Sequence, residues 1–402
     1  MFFSSYKRFV LKGFVGDIFS TLISVLTSLS IVNYLDDALY GSYIYGVAIA
    51  MPLITFTSIS SELIILSDNK TSARKDILYS RILLALIAIP VLFLISYLDK
   101  TSAIPWFLLG SIYFVKLLDN ISRILYSYLY LEDKIRKINF YKIFNQLFLF
   151  FGLGIFSVIT QSISIGLLIT FFLRIALILY QIYEVKHLLD FKFSKLLTSK
   201  LEKYHFLLGA IPFFQVLNLS IPKIVSQNLF GVKFVGVIGA VVLVPSFLEV
   251  ISTSINKTIR NRLSKMIDDS ININKFLQKI FVASLLLSFF TGSMLLVFQN
   301  FLELILSDKV NGQIFNILLI LLGIPFLISS HNYYFILIKL REFKTLLTIQ
   351  IFFSFVTLVL SLTLISTYEF FGYALTYLFF SLICYFVLRY QSQIYLLNNE
   401  KK

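Results

Sequence analysis

Apolar stretches long enough to cross a bilayer follow one another along almost the whole chain, separated by short polar junctions. A spanning helix needs about 20 mostly apolar residues. Stretches at or near that length run 11–33, 41–66, 79–98, 104–131, 140–160, 162–185, 205–228, 231–257, 276–299, 312–338, 345–367 and 370–395. In hydrocarbon, only helices and closed barrels satisfy their backbone polar groups, and these stretches lack the strand alternation of a barrel. The expected fold is therefore all-α: a polytopic membrane protein of about twelve transmembrane helices. Composition agrees, with 14% charged residues across 402 positions, against about 25% in soluble domains. Two separations carry the count. The apolar run 205–257 is divided only at Asn228–Lys233, and 345–395 only at Ser366–Gly372.

The net charge of +14 would suit nucleic-acid binding, but its placement points to topology. Of the 35 Lys and Arg, 28 fall at alternate junctions or at the termini, four (Lys100, Lys223, Lys233, Lys309) at the opposite junctions, and three (Lys116, Arg123, Arg174) inside spans. By the positive-inside rule, both termini are expected in the cytoplasm. Attraction to anionic lipids is a secondary effect, and no nucleic-acid partner is expected. The basic start Lys7, Arg8, Lys12 leads into the first span without a small-residue cleavage site, so no cleaved signal is expected. One cysteine, Cys384, rules out an intrachain disulfide.

The longest basic junction divides the spans six and six. The expected organisation is an N-terminal six-helix lobe over 1–186, a cytoplasmic linker over 187–204, and a C-terminal six-helix lobe over 205–402. Two echoes suggest a duplication. VNYLDDALYGSYIYG (Val32–Gly46) pairs with QNLFGVKFVGVIGAV (Gln227–Val241), and YLYLEDKIRK (Tyr128–Lys137) with FILIKLREFK (Phe335–Lys344). In the second echo's register, Lys116 and Arg123 align with Gly323 and Ser330.

The fourth span holds the main anomaly. At about 100° per residue, Lys116, Asp119 and Arg123 share one face, with Asn120 and Ser127 beside them. A charge in the middle of a span costs at least about 2.5–3.5 kcal/mol on insertion scales, so such groups face a partner or water. Arg174 in span six is expected at the depth of Lys116, and Asp17 in span one near the level of Arg123. Two readings stay open. The acids can neutralise the bases and lock helices together, or the excess of bases can line a cavity for an anion while Asp17 and Asp119 tune it or couple an ion. Glu62, Glu249 and Lys223 read as interface anchors, and His331 as a packing histidine. No metal-ligand spacing, nucleotide-binding loop or catalytic constellation occurs, so neither a metal nor a cofactor is expected, and no enzymatic activity.

The chain resembles the polysaccharide repeat-unit flippases (O-antigen type, Wzx) of the multidrug/oligosaccharidyl-lipid/polysaccharide exporter superfamily. The resemblance rests on LDDALYGSYIYGVAIAMPLITFTSISSELII (Leu35–Ile65), on GVKFVGVIGAVVLVPSFLEVISTSINKTIRNRLSKM (Gly231–Met266), and on the basic turns YLYLEDKIRKINF and ILIKLREFKTL. It implies two six-helix lobes in a V around a cavity that alternates between membrane faces. The implied substrate is an undecaprenyl-pyrophosphate-linked oligosaccharide, moved to the outer leaflet of a bacterial cytoplasmic (inner) membrane for O-antigen, lipopolysaccharide or capsule assembly. Lys116, Arg123 and Arg174 would then contact the pyrophosphate. Membrane lipids, a polysaccharide polymerase and chain-length proteins are the further partners implied. A drug/cation antiporter of the same fold would favour an acidic cavity. A glycan polymerase would carry a large outer loop, and an acyltransferase an embedded histidine motif; neither is found here.

Overall fold

The computed structural model describes residues 2–58, 71–98, 104–132, 134–187, 203–268, 273–299 and 312–400. Glu62 and most of the 187–204 connection lie outside them, as does the side chain of Glu249. Twelve helices follow in order among the described residues. They are α1 (Phe2–Tyr34), α2 (Asp37–Ser58), α3 (Thr71–Leu98), α4 (Trp106–Leu131), α5 (Ile135–Thr160) and α6 (Ile163–Val185), then α7 (Lys203–Phe230), α8 (Val232–Asp268), α9 (Ile273–Val297), α10 (Ile314–Lys339), α11 (Phe343–Leu360, prolonged through Ser361–Ile365) and α12 (Ser366–Glu400). The protein is an all-α, multi-pass membrane protein. Among the described residues, eight stretches are long and apolar enough to span by length and composition alone, the last covering both α11 and α12. Helix α4 is absent from that set because Lys116, Asp119 and Arg123 fall within any stretch of it long enough to span.

Both separations that carry the count are real turns. Gly231, at φ 82°, divides α7 from α8, in a left-handed conformation that glycine adopts without penalty. Glu369, at φ 51° and ψ −118°, breaks the path between α11 and the body of α12. Gly372 follows because a Cβ there would overlap the carbonyl oxygen of Leu364.

Residue contacts divide the chain into two compact units, Met1–Ser220 with Gly231–Lys233, and Ile221–Phe230 with Phe234–Lys402. In the first, α4 packs along α6 and α2, and α1 lies on α5; in the second, α10 packs along α12 and α9. A core of Ile124, Leu125, Leu129, Ile138, Tyr141, Ile178 and Val185 ties α4, α5 and α6 together. Large apolar side chains such as Phe172, Leu179, Phe289, Phe290 and Phe355 are instead exposed on helix surfaces, as expected where the solvent is lipid.

The two units repeat one another in detail. The turn after α4 is closed by Lys134 N–H donating to Leu129 O at 3.0 Å, and the turn after α10 by Glu342 N–H donating to Leu337 O at 3.0 Å. Lys134 (φ −82°, ψ 48°) and Glu342 (φ −82°, ψ 54°) precede α5 and α11 with nearly the same backbone. Both following helices contain a π-helical segment, Phe150–Phe156 in α5 and Ser361–Ile365 in α11. Burial runs in step too: Ile138, Tyr141, Asn145, Leu149, Leu153 and Ser157 match Leu346, Ile349, Phe353, Thr357, Ser361 and Ile365. Against these segments pack Gly166 and Thr170 of α6, and Gly372 and Thr376 of α12; each threonine hydroxyl donates to its glycine's carbonyl at 2.8 Å. Small residues at such crossings let helices approach closely where lipid provides no hydrophobic drive.

This register differs by one residue from the one read off the basic turns. Lys134 and Glu342 are equivalent, so Lys116 and Arg123 correspond to Ile324 and His331, not to Gly323 and Ser330. The charged letters of the two turns had been aligned, but backbone geometry sets the register. One residue on a helix is a rotation of about 100°, enough to exchange buried for exposed positions.

Candidate functional site in the first unit

The site is built on the face of α4 that carries Lys116, Asp119 and Arg123. Helix α4 starts after Pro105, whose φ of −57° and ψ of 135° set the entry. Its other faces are pinned by neighbours. Tyr113 donates its hydroxyl to Ala85 O of α3 at 2.9 Å, and Asn120 donates to Ile54 O of α2 at 3.1 Å. The guanidinium of Arg81, 2% exposed, reaches from α3 to Asn120 O at 2.8 Å. Two helices, α2 and α3, thus fix the rotation of α4 and the direction of its charged face.

Asp119 is the centre of the constellation. Its Oδ1 accepts from Asn145 Nδ2 of α5 at 2.6 Å, while its Oδ2 lies 3.5 Å from Arg123 Nη2, one turn along α4. The charges of Arg123, Arg174 and Lys116 all act on this carboxylate. Arg174 comes from α6 and is 2% exposed. Its Nη1 donates to Val115 O at 3.0 Å and its Nη2 to Asn145 O at 3.4 Å. It therefore holds α4 and α5 together through main-chain carbonyls and reaches Asp119 through Asn145. Arg123 is the open member, with 59% of its side chain exposed against 18% for Asp119.

The structure brings four of the five expected site residues together: Lys116, Asp119, Arg123 and Arg174. The fifth, Asp17, forms a separate pair, its Oδ1 accepting from Lys142 Nζ of α5 at 2.7 Å, with the Tyr130 hydroxyl 3.5 Å from the same ammonium. Gly16 permits that approach, because a Cβ there would run into Asn139 of α5. In the sequence, Lys142 and Arg81 count only among the 28 basic residues of the junctions and termini. Both are instead drawn inward, Lys142 to 17% side-chain exposure. Asn145 was missed altogether, although the adjacent amides Asn145 and Gln146 within FNQLFLFF were the available signal.

At the end of this helix trio, the α4–α5 turn carries a second ionic group. Glu132 contacts Lys134 at 2.7 Å and also His187, and Glu184 binds Lys137 and the Tyr141 hydroxyl. Hydrogen bonds from Lys134 and then His187 hold the Glu132 carboxyl below its ordinary range. Among the described residues, no group of three or more His, Cys, Asp or Glu is placed to hold a metal ion.

The architecture and this site define a class, that of polytopic helical membrane proteins with a cation-rich polar cluster inside one bundle. Solved structures with the same fold cover nearly the whole chain. An outward-facing multidrug resistance MATE family transporter of the MOP superfamily superimposes with a TM-score of 0.68, at 12% identity, over 98% of this chain and 97% of that one. A MOP superfamily transporter from Pyrococcus furiosus, described as having a binding pocket of reverse polarity that suggests a different function, superimposes with a TM-score of 0.67, at 12% identity, over 98% and 96%. At the level of sequence, the chain is similar to the capsular polysaccharide biosynthesis protein CapF of Staphylococcus aureus, 27% identical over 389 residues, which span 90% of this chain and 93% of that protein. No known protein-family model matches.

Proposed function

We propose that this protein is a transporter that moves undecaprenyl-pyrophosphate-linked oligosaccharide units from the inner to the outer leaflet of the cytoplasmic membrane, for assembly of a surface polysaccharide. The observation that carries this reading is the cation surplus of the α4–α6 cluster. Lys116, Arg123 and Arg174 surround one carboxylate, Asp119, on helices that cross hydrocarbon. Three bases against one acid leave positive charge where it is expensive. A pyrophosphate carried on a lipid is an anion able to use it, whereas a cationic drug would be repelled. The fold shared with transporters supports a transport role, and the similarity to a capsule-biosynthesis protein supports a surface-polysaccharide context for it. On this reading the halves 1–186 and 205–402, joined by 187–204, rearrange to expose the site to each leaflet in turn. Polymerase and chain-length proteins would act on the delivered units.

The test is deletion of the gene in its host. Lipid-linked repeat units should build up on the cytoplasmic leaflet while surface glycan disappears, and a plasmid-borne wild-type copy should restore both. Unchanged surface glycan, in a strain shown to lack any substitute transporter, would refute the reading.

A further inference from the structure

The second unit shows what the α4–α6 packing looks like without charge. In the register of the turns, Asp119 corresponds to Leu327 and Asn145 to Phe353; the Gly166/Thr170 and Gly372/Thr376 crossings, two residues closer in spacing, pair Arg174 with Phe380. Leu327, Phe353 and Phe380 are buried, at 5%, 1% and 6% exposure. The rings of Phe353 and Phe380 meet edge to face with centroids 6.1 Å apart, where the first unit joins Arg174 to Asn145. The same framework of turn, π-helical segment and Gly/Thr crossing therefore stands on apolar side chains. The polar version in the first unit is not a packing requirement of the fold, and it carries the insertion cost of its charges.

Its geometry is also lopsided. Asn145 grips one oxygen of Asp119 at 2.6 Å, while the other oxygen makes a long 3.5 Å contact to an Arg123 side chain that is 59% exposed. Behind them the Nε–H of Arg174 is buried with no hydrogen-bond partner among the described residues. We propose that Asp119 is a built-in counter-anion of Arg123, and that a phosphoryl group of the ligand displaces it. The proposal rests on the anionic-headgroup reading of the same site. Displacement breaks only the long contact, because the Asn145 bond lies on the other oxygen. The carboxylate therefore stays beside Arg123, ready to take it back and help expel the phosphoryl group. A phosphoryl group wins the exchange by carrying more negative charge than one carboxylate and by offering several oxygens to the guanidinium fork.

The experiment uses the full-length protein in phosphatidylcholine nanodiscs, titrated with inorganic pyrophosphate at fixed ionic strength. Asp119→Asn should bind pyrophosphate about tenfold more tightly than wild type, since the competing anion is gone. Asp119→Glu, which keeps the charge, should return affinity towards wild type, and Arg123→Gln should abolish binding. Should Asp119→Asn not assemble, Asp119→Ser is expected to show the same tightening. Equal or weaker pyrophosphate binding by the neutral variants would overturn the displacement. If the deletion strain nevertheless accumulates lipid-linked units, the displacement falls and the flippase reading stands. If the neutral variants bind more tightly while the deletion strain keeps normal surface glycan, the displacement stands and the flippase reading falls.

Discussion

Replacing Asp119 and Arg174 with leucine, singly and together, measures whether the cluster behaves as one electrostatic unit. Asp119→Leu removes a carboxylate whose charge acts on a guanidinium that is 2% exposed and leaves the Asn145 Nδ2 donor, in a residue 3% exposed, without its acceptor. Removing one partner of a directly paired buried ion pair costs about 3–5 kcal/mol. Here Asn145 stands between the charges, so the electrostatic share falls to about 1–3 kcal/mol, and the orphaned amide adds about 1–3 kcal/mol. Arg174→Leu loses the bonds to Val115 O and Asn145 O but relieves the burial of a guanidinium; the net cost is about 1–2 kcal/mol. The double variant should be less destabilised than the sum of the singles, by about 1–3 kcal/mol. Leu327 and Phe380 already occupy the matching positions of the second unit, so the apolar alternative has a precedent within the chain. Equilibrium unfolding in mixed SDS–detergent micelles provides the assay, with all four proteins compared on one scale. Additivity within about 0.5 kcal/mol, the behaviour of independent sites, would refute the coupling and with it the view of Asp119, Asn145 and Arg174 as a unit.

Three further outcomes follow from the geometry. Gly166→Ala and Gly372→Ala should each cost about 3 kcal/mol or more and lower the yield of monodisperse protein. A methyl group would strike the Gly152 carbonyl in one and the Leu364 carbonyl in the other; wild-type yields would contradict this. Asp17→Asn should weaken the α1–α5 contact by about 1–2 kcal/mol, with Lys142→Gln on top of it costing little more, measured by the same unfolding assay. Glu132→Gln should show a pH signature. Because the folded-state pKa of Glu132 is lowered, its contribution is present above the unfolded value and disappears as pH falls through the folded one. The stability gap between wild type and Glu132→Gln should thus be widest near neutral pH and close in acid, and a gap that widens in acid would count against the Lys134 and His187 bonds.

Much of the architecture is legible in the chain because lipid allows so few solutions. Spanning length and the lack of alternation leave only helices, and Gly231 and Glu369 confirm the two separations that supported the count. The repeat was visible as two faint echoes, but its register was misread by one position. Matching the basic letters of the two turns favoured one alignment, and the backbone turns at Lys134 and Glu342 established another. Charge near a junction tolerates a shift of one residue; a helical turn closed by a main-chain hydrogen bond does not.

The candidate site divides in the same way. That Lys116, Asp119 and Arg123 share a face follows from helical periodicity alone, and their cost in hydrocarbon marks them as consequential. Tertiary structure decided the partners. Asp17 went to Lys142 and not to the α4 face, Arg81 turned inward onto Asn120, and Asn145 entered between Asp119 and Arg174. Spacing along one helix determines what that helix presents. Which residue of another helix meets it depends on crossing points, here at Gly16, Gly152 and Gly166, and a one-dimensional pattern does not encode where those crossings fall.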